Sequence, residues 1–321
     1  MRLSVIIPTR NRYEILRSTL AAMENQTLQK HEFEVIVVDT STDAYHRKKI
    51  NEHQRQKATL RTLELDTDNV AAVRNFGADN AEGEYLLFLN DDIVPAVDTL
   101  KQHLEIHADS QERIAVVGKI RFADQLPKSC FVHYLENSHY YDAYSQVRHN
   151  PNILPPIHGN SSLAKELFNE IGQYDADLFT GYGAAAEELG LRLTKAGTRV
   201  VYADGAIGYH AVAKTFEEVA RDMAETGVEV IKMFRKHPEI ESLKDVDVMI
   251  DSSGELSRAK LKVRAALTAD PDSTGIRFAN YFIKKARNRE FFAGLLMKSF
   301  DKVLKIHYGR GMEEGLSKKV K

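Results

Sequence analysis

Continuous apolar runs and amphipathic stretches alternate along the first third of the chain. Four runs have the character of buried strands, namely LSVIIPT (Leu3–Thr9), FEVIVVDT (Phe33–Thr40), LRTLELD (Leu60–Asp66) and EYLLFLNDD (Glu84–Asp92). The stretches between them, YEILRSTLAAMENQ, AYHRKKINEHQRQK and NVAAVRNFGADNA, have helical patterns. Strands that alternate with helices predict an α/β fold with a mainly parallel central sheet between two helical layers.

The middle of the chain is less regular, and its last third is mostly helical in pattern. RIAVVGKIRF and TRVVYAD are predicted strands, whereas SSLAKELFNEIG and AAAEELGLRLTKAG are predicted helices that end at glycine. From Thr215 onward helical spacing dominates. We therefore predict a sheet-containing domain over residues 1–214 and a mainly helical C-terminal extension over residues 215–321.

Polar side chains end three of the predicted strands. Thr9 ends the first strand, Asp39 lies at the end of the second, and Asp91 and Asp92 end the fourth. Ligands of parallel α/β sheets bind at the carboxyl ends of the strands. A strand-end acid is also an ordinary helix N-cap, but three positions at one edge favour a ligand site. The adjacent carboxylates additionally suit Mg²⁺ or Mn²⁺, which prefer oxygen ligands.

The composition excludes several classes of protein. The 321 residues are 43% hydrophobic and 28% charged, as in soluble globular proteins. No segment approaches the roughly 20 apolar residues of a membrane span, and the N-terminus lacks the pattern of a signal peptide. A net charge of −2 gives no support for nucleic-acid binding. The single cysteine, Cys130, excludes an internal disulfide and favours the reducing cytoplasm.

The C-terminal region differs in charge from the rest of the chain. Residues 281–321 hold 11 Lys/Arg against 4 Asp/Glu, and residues 278–306 combine basic side chains with Phe and Leu. Such a helix suits an anionic membrane surface, here the inner face of the membrane. It suits equally well packing on the rest of the chain or self-association. The sequence leaves these alternatives open.

Six segments, in order, carry a resemblance to a known family. They are SVIIPTRNR, FEVIVVDTSTD, VAAVRNFGADNAEGEYLLFLNDD, GNSSLAKELFNEIGQYDADLFTGYG, EELGLRLTKAG and VYADGAIGYH. Together they are similar to family 2 glycosyltransferases with the Rossmann-like GT-A fold, over roughly residues 3–235. The resemblance implies transfer of a sugar from a nucleotide diphosphate sugar, expected to be a UDP-sugar, to a glycan, lipid-linked or protein acceptor. It also implies a divalent metal and inversion of configuration, and makes residues 1–214 the catalytic domain.

The resemblance implies roles for individual positions at the donor site. The donor-binding positions are Pro8, Thr9, Arg12, Asp39, Arg74, Asn75, Asn90 and Asp91. The four positions before residue 40 face the nucleotide base, Arg74 and Asn75 face the diphosphate and sugar, and Asp91 faces the ribose. Asn90 stands where the family's acidic motif frequently has Asp, which is tolerable if Asp92 holds the metal.

A late histidine completes the implied metal site. His210 follows a predicted strand, where the family places a second metal ligand beside Asp92. A histidine that is satisfied within the protein is the alternative. A metal ion and a cation such as Arg74 would neutralise the charge on the leaving diphosphate.

The run GYGAAAEELGLRL departs from the family pattern. Similar enzymes carry Glu-Asp, one further residue and then the acid of ELG, so that the pair should fall at Ala185 and Ala186. The Asp of that pair is the usual base for the acceptor hydroxyl, and alanine cannot accept a proton. Glu187 and Glu188 are the fallback bases, since the helix N-terminus keeps both ionised. Glu188 is also spaced to pair with Arg192 in a structural role.

Four explanations fit the two alanines. In the first, a neighbouring glutamate serves as the base. In the second, the base lies elsewhere in the chain, or the reaction retains configuration and needs no base at this place. In the third the chain is a non-catalytic nucleotide-sugar-binding protein, and in the fourth the alanines are engineered substitutions that impair the chain. A nucleotidyltransferase is disfavoured because PTRNRYEI, after the first strand, has no glycine.

The acceptor site has three candidate residues. His158 and Asn160 in the loop PIHGNSS are placed to touch sugar hydroxyls, and Tyr182 is placed to stack on an acceptor sugar. A loop that caps the following helix is the alternative for the first two.

Overall fold

The computed structural model of the protein describes residues 1–55, 59–127, 129–137, 155–240 and 293–318. The strands in these ranges are β1 (Leu3–Thr9), β2 (Phe33–Asp39), β3 (Leu60–Glu64), β4 (Tyr85–Leu89), β5 (Ile93–Pro95), β6 (Ile114–Phe122), β7 (Asn160–Ala164) and β8 (Arg199–His210). The helices are α1 (Tyr13–Glu24), α2 (Ala44–Gln54), α3 (Val70–Asp79), α4 (Thr99–Asp109), α5 (Cys130–Asn137), α6 (Lys165–Glu170), α7 (Ala185–Lys195), α8 (Phe216–Lys236) and α9 (Ala293–Ser317).

The chain divides into two compact units. The first contains all the described strands and helices α1–α4, α6 and α7, and the second contains α5, α8, α9 and the short segment Gly181–Ala184. The two-part division at residue 214, taken from the sequence pattern, stays a prediction. Among the described residues no helix has the length and apolar character needed to cross a membrane.

One mixed sheet forms the framework of the first unit. Its strand order is β3-β2-β1-β4-β7-β6-β8-β5, and four of the seven described pairings are parallel. Every residue of β2 is buried, which explains why this strand reads as a continuous apolar run and not as an alternating one. The predicted α/β fold with a mainly parallel central sheet is confirmed.

The prediction of a helix throughout SSLAKELFNEIG is wrong for its first part. Residues Asn160–Ala164 form β7, which runs antiparallel between β4 and β6, and only Lys165–Glu170 are helical. The strand escaped notice because its central residues, Ser161 and Ser162, are polar although fully buried. The Ser162 hydroxyl contacts a histidine of α4, and the Ser161 hydroxyl donates to the His158 carbonyl oxygen at 3.0 Å, so both are satisfied in a way that the sequence pattern does not reveal.

Two histidines of α4 satisfy Ser162 inside the first unit. His103 Nδ1 and His107 Nε2 each lie 2.8 Å from the Ser162 hydroxyl oxygen, and His103 Nε2 lies 3.0 Å from Asn160 Oδ1. His107 also stacks on Tyr85 with ring centroids 4.4 Å apart. Burial lowers the pKa of His103 to about 4 and that of His107 to about 3, so both imidazoles are neutral near pH 7.

We expect this buried pair to make folding stability sensitive to acid. Both folded-state pKa values lie below the unfolded value, so unfolding takes up protons and stability declines as the pH falls from about 6.5 towards 4. Between pH 7.5 and pH 5 the loss should be about 2–4 kcal/mol, measured by urea unfolding. His103→Gln should reduce this pH dependence, whereas the exposed control His31→Gln should not. Equal pH dependence in both variants would contradict the assignment.

The second unit is held together by aromatic packing and by a close helix contact. Phe300 of α9 contacts Phe131 and Tyr134 of α5 and Phe216 of α8, with ring centroids 4.9–5.6 Å apart. At Gly311 a Cβ atom would lie only 1.8 Å from the Ala224 carbonyl oxygen, so a side chain there would force α8 and α9 apart. The basic residues predicted to meet a membrane or a partner lie largely outside the described residues, which resume at residue 293.

Candidate active site

The carboxyl ends of β1, β2 and β4 lie side by side in the sheet. Thr9 pairs in register with Asp39, and the Thr40 backbone N–H donates to the Thr9 carbonyl oxygen at 2.9 Å. The Thr9 hydroxyl donates to Asp91 Oδ2 at 2.8 Å, which joins the first strand end to the loop after β4. Three strand ends that are distant in sequence therefore build one polar edge.

Arg12 bridges the two adjacent carboxylates of this edge. Its Nη1 donates to Asp91 Oδ1 at 2.8 Å and its Nη2 donates to Asp92 Oδ2 at 3.0 Å. Arg12 lies between β1 and α1, so the loop after the first strand supplies a counter-charge to the acidic pair. The resemblance placed Arg12 at the nucleotide base, whereas the structure places its guanidinium on the acids.

Asp91 is held in an unusual electrostatic environment. Burial raises the pKa of its carboxyl to about 6, the neighbouring Asp92 contributes in the same direction, and Arg12 and the Thr9 hydroxyl oppose the rise. Its backbone is fixed as well, since the Thr19 hydroxyl of α1 donates to the Asp91 carbonyl oxygen at 2.7 Å. The sequence analysis did not predict a role for Thr19 at this site. A polar residue among the apolar positions on the buried face of α1 was the signal that could have indicated it.

His210 ends β8 beside the second carboxylate. Its Nδ1 lies 3.9 Å from Asp92 Oδ1, and the next residue, Ala211, donates its backbone N–H to the Asp92 carbonyl oxygen at 2.8 Å. The imidazole stacks on Phe122, with ring centroids 5.2 Å apart. The predicted pair of metal ligands is therefore brought together at the sheet edge.

The donor atoms at this edge are of the kinds that Mn²⁺ and Mg²⁺ accept. Carboxylate oxygens and one imidazole suit such ions, which take their remaining ligands from substrate phosphates and water. Among the described residues no group of three or more His, Cys, Asp and Glu side chains is arranged to hold a metal by itself. The residues therefore fit a metal that arrives with a phosphate ligand better than a metal held by the protein alone.

Arg74 is buried next to the acidic loop with part of its guanidinium unsatisfied. Nη2 donates to Asn90 Oδ1 at 3.3 Å, and the guanidinium lies 5.5 Å from the ring centroid of Tyr174. Nε has no hydrogen-bond partner among the described residues, although Arg74 is only 7% exposed. A buried donor without a partner requires an explanation, and a ligand oxygen supplies one.

Asn75, the neighbour of Arg74, is occupied within the protein. Its Nδ2 donates to the Tyr174 carbonyl oxygen at 2.8 Å, and its Oδ1 accepts from the Tyr174 backbone N–H at 3.1 Å. This paired contact orients the Tyr174 ring against Arg74. The arrangement favours a positioning role for Asn75, through Tyr174.

The first turn of α7 carries the two alanines and the two glutamates. Ala185 and Ala186 are 5% and 6% exposed, and the Ala186 carbonyl oxygen accepts from the Ile157 backbone N–H at 3.3 Å. Glu188 is fully buried and forms the predicted ion pair with Arg192 at 2.8 Å. Glu187 is half-buried, and burial raises the pKa of its carboxyl while the charge of Arg74 opposes the rise.

Comparison with known proteins identifies the family. The model of Glycosyl transferase family 2 matches residues 4–172, which is just over half of the chain. This chain belongs to glycosyl transferase family 2. Chondroitin synthase of Escherichia coli is 24% identical over 243 residues, which are 65% of this chain and 34% of that protein. Validoxylamine A glucosyltransferase of Streptomyces hygroscopicus subsp. jinggangensis is 26% identical over 262 residues, 74% of this chain and 61% of that protein.

Solved structures of glycosyltransferases share the fold. A mannosyltransferase from Pyrobaculum calidifontis has a TM-score of 0.61 at 17% identity, covering 98% of this chain and 87% of that one. TarS of S. aureus has a TM-score of 0.50 at 20% identity, covering 98% of this chain and 55% of that one. These likenesses confirm the GT-A fold. The chain spans only about a third of the length of the chondroitin synthase that it matches.

The remaining predicted positions of this family 2 protein differ in how accessible they are. Pro8 is half-buried in β1, and Asp39 is buried with its Oδ1 accepting the Ser41 backbone N–H at 2.8 Å. Asn160 is fully buried, and its Nδ2 donates to the Ala206 carbonyl oxygen at 2.8 Å, which favours a structural role. His158 is half-buried, just before Gly159.

Tyr182, the third predicted acceptor position, belongs to the second unit and is exposed. It is 40% exposed, and the Lys214 ammonium nitrogen lies 4.4 Å from its ring centroid. Lys214 in turn pairs with Asp222 at 2.5 Å, which holds the cation against the ring. The phenol ring is thus fixed while much of its surface stays open to solvent, as a sugar-stacking residue requires.

Proposed function

We propose that this protein transfers a sugar from a nucleotide diphosphate sugar to an acceptor hydroxyl with inversion of configuration. The observation that carries the proposal is the polar edge of Asp91 and Asp92, together with a buried Arg74 that donates to the preceding residue, Asn90, and whose Nε lacks a partner among the described residues. Membership of glycosyl transferase family 2 supports it. So does the mannosyltransferase that shares the fold, which was solved in complex with GDP-Man and Mn²⁺.

The residues of the polar edge divide the work of holding the donor. Thr9 and Asp39, with Pro8 beside them, bind the nucleoside, and Asp91 accepts hydrogen bonds from the ribose. Asp92 and His210 would hold a divalent cation, which neutralises the negative charge of the diphosphate. Arg74 donates its free Nε–H and its positive charge to the diphosphate, and preorganised charge of this kind stabilises the leaving group as the glycosidic bond breaks.

Arg12 has a separate task in this arrangement. Its guanidinium satisfies both Asp91 and Asp92, which would otherwise repel each other. A divalent cation held by Asp92 and His210 would supply positive charge to the same edge, and the Arg12 side chain, which is 38% exposed, would then turn towards the nucleotide. This reconciles its place in the structure with the role that the family resemblance implies.

We propose a UDP-sugar as donor and a saccharide, lipid-linked or protein acceptor. Relatives named chondroitin synthase and poly(ribitol-phosphate) beta-N-acetylglucosaminyltransferase support a polymer acceptor. His158 in the first unit and Tyr182 in the second are each proposed, independently, as an acceptor contact. A cytoplasmic location, with the basic region 278–306 at the inner face of the membrane or in self-association, is part of the same proposal.

The alternative function is a nucleotide-sugar-binding protein without turnover. The observation in its favour is the pair Ala185 and Ala186, whose buried methyl groups offer no proton acceptor where the family carries its acids. Both proposals require the same donor cleft, so a measurement of donor binding does not distinguish them. A measurement of donor consumption does.

One experiment tests the function and separates the two. UDP-glucose, UDP-N-acetylglucosamine and GDP-mannose would be titrated calorimetrically with Mn²⁺ or with EDTA, and nucleotide release would be followed with water or p-nitrophenyl glycosides as acceptors. We expect a UDP-sugar to bind, EDTA to weaken binding at least tenfold (about 1.4 kcal/mol), and nucleotide to be released. No binding of any donor would overturn the proposed function, whereas binding without release would favour the alternative.

A further inference from the structure

The two glutamates of α7 have opposite environments. Glu188 is fully buried and accepts from Arg192 three times, at 2.8, 2.9 and 3.0 Å. Arg192 also donates to the carbonyl oxygens of Ile171 and Gln173, each at 2.6 Å. A carboxylate engaged in several charge-assisted hydrogen bonds holds its charge firmly and is a poor proton acceptor. Glu188 therefore anchors α7 and is not the base.

Glu187 lacks such an anchor. Among the residues that the structure describes, no side chain forms a hydrogen bond or salt bridge with its carboxylate, which is half-buried in the first turn of α7. Burial raises the pKa of this carboxyl, and the charge of Arg74 acts against the rise. A base for an acceptor hydroxyl needs this combination, because an ionised carboxylate with a raised pKa binds a proton more readily than a fully hydrated one.

Arg74 connects Glu187 to the donor site. Its guanidinium reaches Asn90, the residue before the acidic pair, and its Nε is buried without a partner among the described residues. Tyr174, whose ring packs against this guanidinium, donates its hydroxyl to the Ile157 carbonyl oxygen. The Ile157 backbone N–H in turn donates to the carbonyl oxygen of Ala186, the residue before Glu187, at 3.3 Å. The Nε without a partner among the described residues is an observation independent of α7, and it points to a ligand oxygen at this cation.

We propose that Glu187 is the catalytic base of this chain, in place of the acidic pair that Ala185 and Ala186 replace. This rests on the proposed function. The Glu187 carboxylate takes the proton of the acceptor hydroxyl while the acceptor oxygen forms its bond to the anomeric carbon. The bond between that carbon and the phosphate oxygen breaks, and its electron pair leaves with the nucleoside diphosphate. The protonated Glu187 then releases its proton to water, which restores the starting state.

The position of Glu187 explains how the function survives two alanines. Ala185, Ala186 and Glu187 are consecutive in the first turn of one helix, so the proton acceptor lies one residue along the helix, and about 100° around it, from the expected Asp position. Glu188 and Arg192 fix the orientation of that helix. The positive charge of Arg74 favours the ionised form of Glu187, which is the form that accepts a proton.

The test compares Glu187→Gln with Glu187→Asp and with Glu166→Gln, a matched change at an exposed acid of α6. Donor affinity would be measured calorimetrically, and kcat by nucleotide release from the best UDP-sugar with Mn²⁺. We expect Glu187→Gln to lower kcat about 100-fold, Glu187→Asp to retain intermediate activity, and the donor Kd of both to stay within about threefold. Glu166→Gln should match the unaltered chain.

Two outcomes of the activity measurement would overturn this proposal by itself. One is a kcat within about threefold of the unaltered chain in Glu187→Gln, and the other is an unaltered chain that binds donor but neither hydrolyses nor transfers it. Loss of donor binding in Glu187→Gln alone would also count against it, because the residue would then hold the donor and not take the proton. No donor binding by the unaltered chain would instead overturn the proposed function on which this proposal rests.

Discussion

Replacing Asp92 with asparagine is expected to weaken metal-dependent binding of a UDP-sugar by about 100-fold, or about 2.7 kcal/mol. The change keeps the size of the side chain and removes its charge. Asp92 lies at the junction of Arg12, His210 and the backbone of Ala211, so it is the position where a metal would meet both the protein and the diphosphate. A neutral amide oxygen is a weaker ligand for a hard divalent cation than a carboxylate oxygen.

The measurement is a calorimetric titration in Mn²⁺ and, separately, in EDTA. With EDTA the variant and the unaltered chain should bind the donor with similar weak affinity, because the metal contribution is then absent from both. Asp109→Asn, at an exposed carboxylate at the end of α4, is the matched control and should bind as the unaltered chain does. Equal affinity of Asp92→Asn and the control in Mn²⁺ would contradict the metal assignment.

Replacing Glu188 with glutamine is expected to destabilise the fold by about 3 kcal/mol. Glu188 is fully buried, and its removal leaves the charge of Arg192, whose side chain is only 17% exposed, without its anionic partner. The carbonyl oxygens of Ile171 and Gln173 remain as acceptors, but they carry no compensating charge. The free energy of unfolding, measured with urea, should therefore fall sharply.

A double variant separates the charge effect from simple loss of packing. Glu188→Leu combined with Arg192→Met removes both charges and should recover most of the stability, since replacing a whole buried ion pair costs far less than breaking it. Glu166→Gln serves as the exposed control here as well. A loss below about 1 kcal/mol in Glu188→Gln would show that Glu188 is not the anchor of α7, and would reopen it as a base.

Elements with a strong apolar pattern were predictable because burial in one sheet leaves a local signature. β1 has the predicted bounds Leu3–Thr9, and β2 ends one residue before the predicted Thr40. The α8 helix begins at Phe216, as expected, because Thr215 and Glu218 form a reciprocal cap that is itself local in sequence. β7 was not predictable in this way, since its buried Ser162 depends on histidines more than 50 residues away.

The residues of the polar edge were likewise predictable only where a local pattern marks them. Strand ends identified Thr9, Asp39, Asp91 and Asp92 as neighbours, because parallel strands bring their carboxyl ends to one edge. The bridge from Arg12 to both acids and the unsatisfied Nε of Arg74 carry no sequence signal, since they depend on side-chain directions set by packing.

The sequence by itself determined the family, the mainly parallel sheet and the edge at which the site lies, because each depends on periodicity and on motifs that are short in sequence. It also showed that Ala185 and Ala186 stand where an acid is expected, but left Glu187 and Glu188 equivalent. Only the tertiary structure separated these two residues. Adjacent positions on a helix point about 100° apart, so Glu188 pairs with Arg192, whereas Glu187 has no hydrogen-bond or ion-pair partner among the described side chains.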